Sequence, residues 1–194
     1  MENKRKQQKE STKKLLIETA YAIYSKKGFS VPTSEIAKKA KVSHGTIFAH
    51  FPTVNHLITF LINDFGEALT AELHEKSLKV NSIKDFLGMH IEVISKYENF
   101  YHHLISEFNA LNEESKLSFI CLQSAASFHL GSTIDRLKHK HNFINIPVYM
   151  VFNTWIGLIH YYLQNTEYFI ATGSVLKKYK NELINSFIKM IIRR

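Results

Sequence analysis

The chain has 194 residues, of which 45% are hydrophobic and 22% charged, as is typical of a globular protein that buries a core. Its net charge of +8 is concentrated at the start, because residues 1–60 hold 11 Lys and Arg against 4 Asp and Glu. This excess favours a polyanionic partner for the first third of the chain. The single cysteine, Cys121, excludes an intrachain disulfide, and because no secretory signal follows Met1 we expect a cytoplasmic protein.

Few helix breakers occur along the chain, which contains 7 Gly and 3 Pro beside 14 Phe and 9 Tyr. Apolar residues recur at helical spacing and no long alternating segment is present, so the sequence predicts an all-α fold of about nine helices. The polar first ten residues are expected to form a basic arm outside the first helix. In chain order, the predicted helices cover about residues 12–27, 35–40, 42–51, 52–78, 82–96, 98–111, 113–139, 147–164 and 174 onward.

One uncharged stretch, His141–Thr166, raises the question of a membrane span. Its apolar centre, Val148–Leu163, contains Asn153, Thr154 and His160. A span needs roughly 20 predominantly apolar residues, and this centre is shorter. We therefore expect a helix that is buried in the protein or in a dimer interface, and no membrane association.

The stretch Thr33–Leu57 encodes two short helices joined by a turn of about three residues. Its apolar positions face inward, and the small Ala37 and Ala40 allow the second helix to cross the first closely at a steep angle. The pattern is that of a helix-turn-helix. With the basic charge, it predicts a head over residues 1–62 that binds duplex DNA, followed by a helical body over residues 63–194.

The polar residues of this stretch are the candidates for contact with DNA. Thr33 and Ser34 stand at a helix N-terminus, where they can donate to phosphate. The second helix opens with Gly45, which removes a side chain so that the backbone can come close to the duplex. Because N-terminal residues of a recognition helix reach base edges in the major groove, four residues are expected there: Ser43, His44, Gly45 and Thr46.

This stretch resembles the DNA-binding head of the TetR (tetracycline-repressor) family over about Leu15–Leu61. The residues that carry the resemblance are Gly28-Phe29, Ile36-Ala37, Ala40, Val42-Ser43, Gly45-Thr46, Phe48, His50-Phe51 and Leu57. The resemblance implies a homodimer that grips a near-palindromic operator, usually as a repressor, and that a small molecule in the body releases. It also places Phe48 in the recognition helix and makes His50 a phosphate contact.

Three positions depart from the pattern of the family that the chain resembles. The family usually carries Gly where Lys41 stands, Tyr where Phe48 stands and Lys where Val54 stands. Phe48 cannot donate a tyrosine's hydrogen bond to phosphate, and Val54 lacks the charge of a lysine. We therefore expect lysines to take a larger share of the backbone contacts: Lys4, Lys6, Lys9, Lys38, Lys39 and Lys41.

The resemblance implies that the last two long helices pair the subunits. Val148–Leu163 and an apolar stripe on the last helix are both too apolar to leave in water, and Gly157 would let a partner helix approach closely. The expected interface residues are Gly157, Tyr161, Leu176, Tyr179, Leu183 and Phe187.

The aromatic and histidine side chains of the body predict a cavity for a hydrophobic or aromatic ligand. Its expected lining is Phe86, His90, Tyr97, Phe100, Tyr101, His103, Phe128, Trp155 and His160. The same rings could instead fill a packed core, in a DNA-binding protein that is regulated by abundance alone.

The alternative from another class is an enzyme or carrier that uses the aromatic cavity. The acids of the body are dispersed, and the eleven histidines form no pair on one helical face and no metal-binding motif. We therefore predict no catalysis, no metal and no cofactor. The concentration of positive charge in residues 1–60 favours the prediction of a DNA-binding protein over this alternative.

Overall fold

The fold is that of a computed structural model, which describes residues 2–193, with side chains from Lys4 to Arg193. Within these residues the chain forms ten α-helices and one 3-10 helix, and its only extended pairing is an isolated antiparallel bridge between Phe143 and Ile192. The all-α fold is confirmed. The elements are α1 (Glu2–Lys27), α2 (Thr33–Ala40), α3 (His44–His50), α4 (Val54–Ser77), α5 (Ile83–Ser95), α6 (Glu98–Ser106), η1 (Phe108–Ala110), α7 (Glu113–Leu137), α8 (Val148–Gln164), α9 (Thr166–Phe169) and α10 (Val175–Ile191).

Local signals in the sequence fix several helix ends. Gly28 follows α1 with φ 84°, the left-handed conformation that ends many helices. Ser82 caps α5, where its hydroxyl accepts the N–H of Asp85 at 3.1 Å, and Ser174 caps α10 by accepting the N–H of Lys177 at 3.0 Å. These three boundaries agree with the sequence-based prediction.

The first helix differs from the prediction. α1 begins at Glu2, so the first residues are helical and do not form an arm outside the helix. Lys, Arg, Gln and Glu, which make up most of this stretch, are strong helix formers, and the stretch has no Gly or Pro. Its basic side chains are therefore carried on a helix.

Two further segments divide differently from the prediction. Glu98–Leu111 forms α6 and then the separate η1, because Glu107 leaves helical geometry with φ −105° and ψ 9°. The short α9, which follows α8 directly, was not predicted. With it the count of α-helices rises from about nine to ten.

The start of α2 also differs in detail. Pro32, in extended conformation, occupies the N-cap position, and no side-chain hydrogen bond caps the helix. Thr33 and Ser34, which precede the predicted start at residue 35, lie instead in its first turn. The hydroxyl of Thr33 is engaged elsewhere, by the imidazole of His44.

The chain folds into two compact units. The first, here called the head unit, contains the residues up to Phe65 together with Asn99–Ser118. The second, the body unit, contains Gly66–Glu98 and the residues from Phe119 onward. The division of the sequence at residue 62 stays a prediction, and nothing in the sequence pattern indicated that Asn99–Ser118 belongs with the head.

An aromatic cluster explains why α6 belongs to the head unit. The ring of Phe100 stacks on Tyr21 with centroids 4.5 Å apart, and it meets Phe29 and Phe65 at 5.5 and 5.4 Å. Such ring pairs contribute about 0.5–1.5 kcal/mol each beyond the area that they bury. Phe100 itself is 1% exposed. The cluster therefore holds α1 and α6 together.

In the body unit, α10 packs against α5 and α8. The rings of Trp155 on α8 and Phe187 on α10 lie 5.0 Å apart, and both are fully buried. Because one face of each of these helices is apolar, the three helices bury a common core.

This core corrects part of the predicted dimer interface. Leu176, Leu183 and Phe187 are 0%, 3% and 0% exposed, so they pack inside their own protomer and cannot meet a second subunit. Tyr179 is half-buried, with its ring 5.1 Å from that of Tyr162. The apolar stripe on α10 identified a buried face correctly, but the face is covered by the chain itself.

Most of the uncharged stretch His141–Thr166 forms α8, and one face of this helix is buried. No helix within residues 2–193 combines the length and the apolar character that crossing a membrane requires. In the same part of the chain, no three or more His, Cys, Asp or Glu side chains are grouped so that they could hold a metal ion.

Candidate nucleic-acid interface

The turn between α2 and α3 depends on one left-handed residue. Lys41, at the position where the family that the chain resembles usually carries Gly, has φ 56° and ψ 41°, and it is the only non-glycine residue of the described chain with positive φ. The N–H of Lys41 donates to the carbonyl of Lys38, and the N–H of Val42 donates to that of Ala37 at 3.1 Å. This pair of hydrogen bonds is a Schellman motif, which ends α2 and turns the chain toward α3.

The N-terminus of α3 is capped by its own side chains. The hydroxyl of Ser43 accepts the N–H of Thr46 at 3.2 Å, and the two hydroxyls lie 2.8 Å apart. A Cβ at Gly45 would meet only the Ser43 hydroxyl, at 3.9 Å, so the space before the helix is open. The first turn of α3 therefore presents polar groups on an accessible surface, as the recognition helix of a DNA-binding protein requires.

His44 is held in place by α2. Its Nε2 lies 2.8 Å from the hydroxyl of Thr33, and its ring meets the half-exposed ring of Phe48 at 5.1 Å. Thr33 is 5% exposed, which corrects the prediction that its side chain contacts phosphate. Its neighbour Ser34 is exposed at the same helix start. The buried hydroxyl instead orients the imidazole of the recognition helix.

Positive charge borders this surface. Lys38, Lys39 and Lys41 are all exposed. Beside the end of α3, partial burial and the positive charges of Lys9 and Lys13 lower the pKa of His50. Because a phosphate would offset these positive charges, His50 and α1 together form a site that fits an anion.

Lys13 was not among the predicted contacts. Its ammonium lies 4.8 Å from the centre of the Phe60 ring, in the range of a cation–π contact. Lys13 follows Lys9 by four residues and therefore lies on the same face of α1. A predicted helix that included the first ten residues would have placed Lys13 beside Lys9 and made it a candidate contact.

Four of the predicted pocket residues come together in the body unit. The indole N–H of Trp155 donates to Nδ1 of His90 at 3.0 Å, and both side chains are buried. The rings of Phe86 and His90 are stacked with centroids 6.3 Å apart. Burial lowers the pKa of His90 and also that of His160 to about 4, so both imidazoles are neutral at pH 7.

The other predicted pocket residues lie elsewhere. Phe100, Tyr101 and His103 belong to the head unit, where Phe100 joins the aromatic cluster. Phe128 is 70% exposed, which corrects its placement in an enclosed lining. Tyr97 follows α5 in the chain and is half-buried. Spacing along the sequence identifies a helix face, but it does not tell which faces meet.

Comparison with known proteins agrees with the helix-turn-helix. Residues 16–58 match the family described as bacterial regulatory proteins, tetR family. The chain is also similar to the uncharacterized HTH-type transcriptional regulator YuxN of Bacillus subtilis (strain 168), with 27% identity over 133 residues. That alignment covers 63% of this chain and 44% of the relative, so the chain spans less than half the length of YuxN.

Solved structures share the whole fold. A TetR-family transcriptional regulator from Agrobacterium tumefaciens is 14% identical with a TM-score of 0.79, and the match covers 95% of this chain and 100% of that one. FadR from Bacillus subtilis, solved in complex with stearoyl-CoA, is 15% identical with a TM-score of 0.73 over 90% and 96% of the two chains. At these identities the likeness is one of fold.

The head unit carries a helix-turn-helix whose second helix begins with accessible polar residues, the arrangement with which DNA-binding proteins enter the major groove. The family match lies on that same head, and the fold of the remaining residues is the one seen in solved members. The chain is therefore similar to TetR-family transcriptional regulators, in sequence over residues 16–58 and in fold over most of its length.

Proposed function

We propose that the protein is a repressor that binds a near-palindromic operator as a dimer and leaves it when a small hydrophobic or aromatic molecule binds the body. The observation that carries the proposal is the first turn of α3, where His44 and Thr46 stand on an open surface bordered by lysines. One such helix reads only a few base pairs, so specific binding needs two half-sites about one helical turn, ~34 Å, apart.

The exposed face of α8 supports the proposal that the protein forms a dimer. Met150, Thr154, Gly157 and Tyr161 follow one another at helical spacing and are all exposed. Apart from its chain neighbours and its own helical backbone, no described atom lies within 4 Å of the position that a Cβ on Gly157 would take, so a partner helix can approach closely there. A two-fold pair needs one self-complementary patch, and we propose that this face of α8 supplies it.

The cluster of His90, Trp155 and His160 supports the proposal that the body binds a ligand. Neutral imidazoles and an indole among apolar side chains suit a ligand that is mostly apolar with one or two polar groups. The structurally similar FadR was solved with stearoyl-CoA, a ligand with a long apolar chain. We infer that this chain acts by binding such a molecule rather than by catalysis.

Selection of bound sequences from random duplexes, with the purified full-length protein, tests the DNA-binding part. We expect an inverted repeat, with an affinity that falls steeply as the salt concentration rises, because bound lysines displace counterions. Lys39→Ala should weaken binding. Lys84→Ala, which removes one exposed positive charge from the body unit, is the matched control and should not. A selected sequence without two-fold symmetry, or an affinity insensitive to salt, would contradict the proposal.

The fluorescence of Trp155 tests the ligand. It is the only tryptophan of the chain, it is fully buried and its N–H is bonded to His90. Stearoyl-CoA and simple aromatic acids, titrated into the protein, should change its emission and release the selected duplex over the same concentration range. Release of DNA without a change in emission would place the ligand elsewhere and overturn the assignment of this cluster.

A further inference from the structure

A cavity lies entirely within the head unit and is separate from the cluster around His90. It has a volume of about 240 Å³ and lies between the residues that precede α2, the start of α4 and the segment 107–112. Phe29, Val54, Ile58 and Leu111 supply its apolar walls. Ligand cavities usually measure roughly 300–1,000 Å³, so this one suits a small molecule.

One side chain gives the cavity its charge. Of the described residues that line it, Glu107 is the only one with a formal charge. Its Oε2 accepts the N–H of Phe29 at 3.0 Å, and its Oε1 lies 3.0 Å from Nδ1 of His103. Both are hydrogen bonds that hold the carboxylate in one orientation and leave lone pairs for a further donor.

Among the described residues that line the cavity, none carries a positive charge that would neutralise this carboxylate. Burial lowers the pKa of His103, although the charge of Glu107 opposes the shift, so the imidazole is neutral at pH 7. The amide of Asn112, another lining residue, is engaged by Ser115. A carboxylate among apolar walls without a paired cation favours a positively charged ligand.

The chain also leaves room for the carboxylate. Gly28 has φ 84°, and a Cβ there would lie 2.1 Å from Oε1 of Glu107. A side chain at position 28 would therefore push Glu107 out of its place. Gly28 therefore both ends α1 and leaves space for the carboxylate of Glu107. The sequence pattern predicts only the first of these roles.

We propose that the cavity binds a small organic ammonium ion with an apolar substituent, and that Glu107 is its counter-ion. The ammonium group donates to the carboxylate, and the substituent lies against Phe29, Ile58 and Leu111. Such a ligand would contact both the residues that lead into α2 and the segment 107–112 that packs in the same unit.

Calorimetric titration of the full-length protein at pH 7 with benzylamine, and with its neutral counterpart benzyl alcohol, tests the site. We expect benzylamine to bind and benzyl alcohol to bind at least about tenfold more weakly, because only the ammonium group carries a charge that pairs with the carboxylate. Glu107→Gln, whose amide oxygen can still accept the N–H of Phe29, should weaken benzylamine by a similar factor.

Two variants make the test specific. Asn55→Trp changes an exposed residue at the cavity wall and should block benzylamine without disturbing the core. Glu114→Gln removes one exposed negative charge from the same unit and should leave the affinity unchanged. If Glu107→Gln does not fold, Asn55→Trp decides the matter. Absence of benzylamine binding, equal binding of the alcohol, or an unchanged affinity in Asn55→Trp or in a folded Glu107→Gln would overturn the proposal.

Discussion

The hydroxyl of Thr33 lies 2.8 Å from Nε2 of His44 and joins the first residue of α2 to the first residue of α3. Thr33→Val keeps the shape of this buried side chain and removes the hydrogen bond, which is worth about 1 kcal/mol. We expect a loss of about fivefold in affinity for the selected operator and little change for an unrelated duplex. Fluorescence anisotropy with both duplexes measures the two affinities.

Ser34→Ala is the control for this variant, because Ser34 is exposed and is expected to contact phosphate rather than to orient a base-reading group. It should weaken both duplexes by a similar factor. Equal losses for both duplexes with Thr33→Val would show that the hydrogen bond does not act through His44.

Residues of α3 and lysines of α2 should differ in the kind of binding that they support. His44→Ala and Thr46→Ala should reduce binding to the operator by roughly 1–3 kcal/mol each, because both side chains stand where base edges come within reach. Lys38→Ala and Lys39→Ala should weaken all sequences about equally and lower the dependence on salt. If the α3 variants and the lysine variants lose affinity for operator and unrelated DNA in the same proportion, His44 and Thr46 do not read bases.

Lys41→Gly should stabilise the protein. A residue with a Cβ costs about 1 kcal/mol in the left-handed conformation that Lys41 adopts, and glycine adopts it freely. Denaturant unfolding should show an increase of that size in the free energy of unfolding. Lys41→Ala, which loses the charge and keeps the Cβ, is the control and should show no such gain. A stability of Lys41→Gly equal to that of Lys41→Ala would exclude strain at this turn.

Stability should fall as the pH drops from about 6.5 toward 4. Burial lowers the pKa of His90 to about 4, so over this range the unfolded chain binds a proton that the folded chain does not. The contribution of His90 is on the order of 3 kcal/mol. His90→Gln, which can still accept the indole N–H of Trp155, should flatten the pH profile of the free energy of unfolding. A profile as steep as that of the wild type would assign the acid sensitivity to other groups.

Substitutions on α8 and α10 should separate the dimer surface from the core. Gly157→Arg adds a charged side chain to an exposed face and should yield a folded monomer that no longer binds the operator tightly. Leu183→Glu places a carboxylate in the protomer core and should unfold the chain. Analytical ultracentrifugation and circular dichroism distinguish the two outcomes. A wild type that sediments as a monomer at micromolar concentration would refute the dimer.

Features that depend on a few neighbouring residues could be predicted from the sequence. The caps at Ser82 and Ser174, the left-handed turn at Lys41 and the pair of short helices that follows Pro32 all have causes within about five residues along the chain. The helix-turn-helix could be predicted for the same reason. The residues of its tight turn, the small residues at the helix crossing and the polar residues of the first turn of α3 all lie close together in the sequence.

Which helix faces pack against each other, in contrast, is known only from the fold. Leu183 and Gly157 both lie on apolar helices, yet one is buried in the protomer and the other is exposed. Glu107 accepts the N–H of Phe29 across 78 positions, and no local pattern encodes that contact. Burial of apolar surface is not directional, so periodicity marks the face of a helix that avoids water but not the partner that covers it.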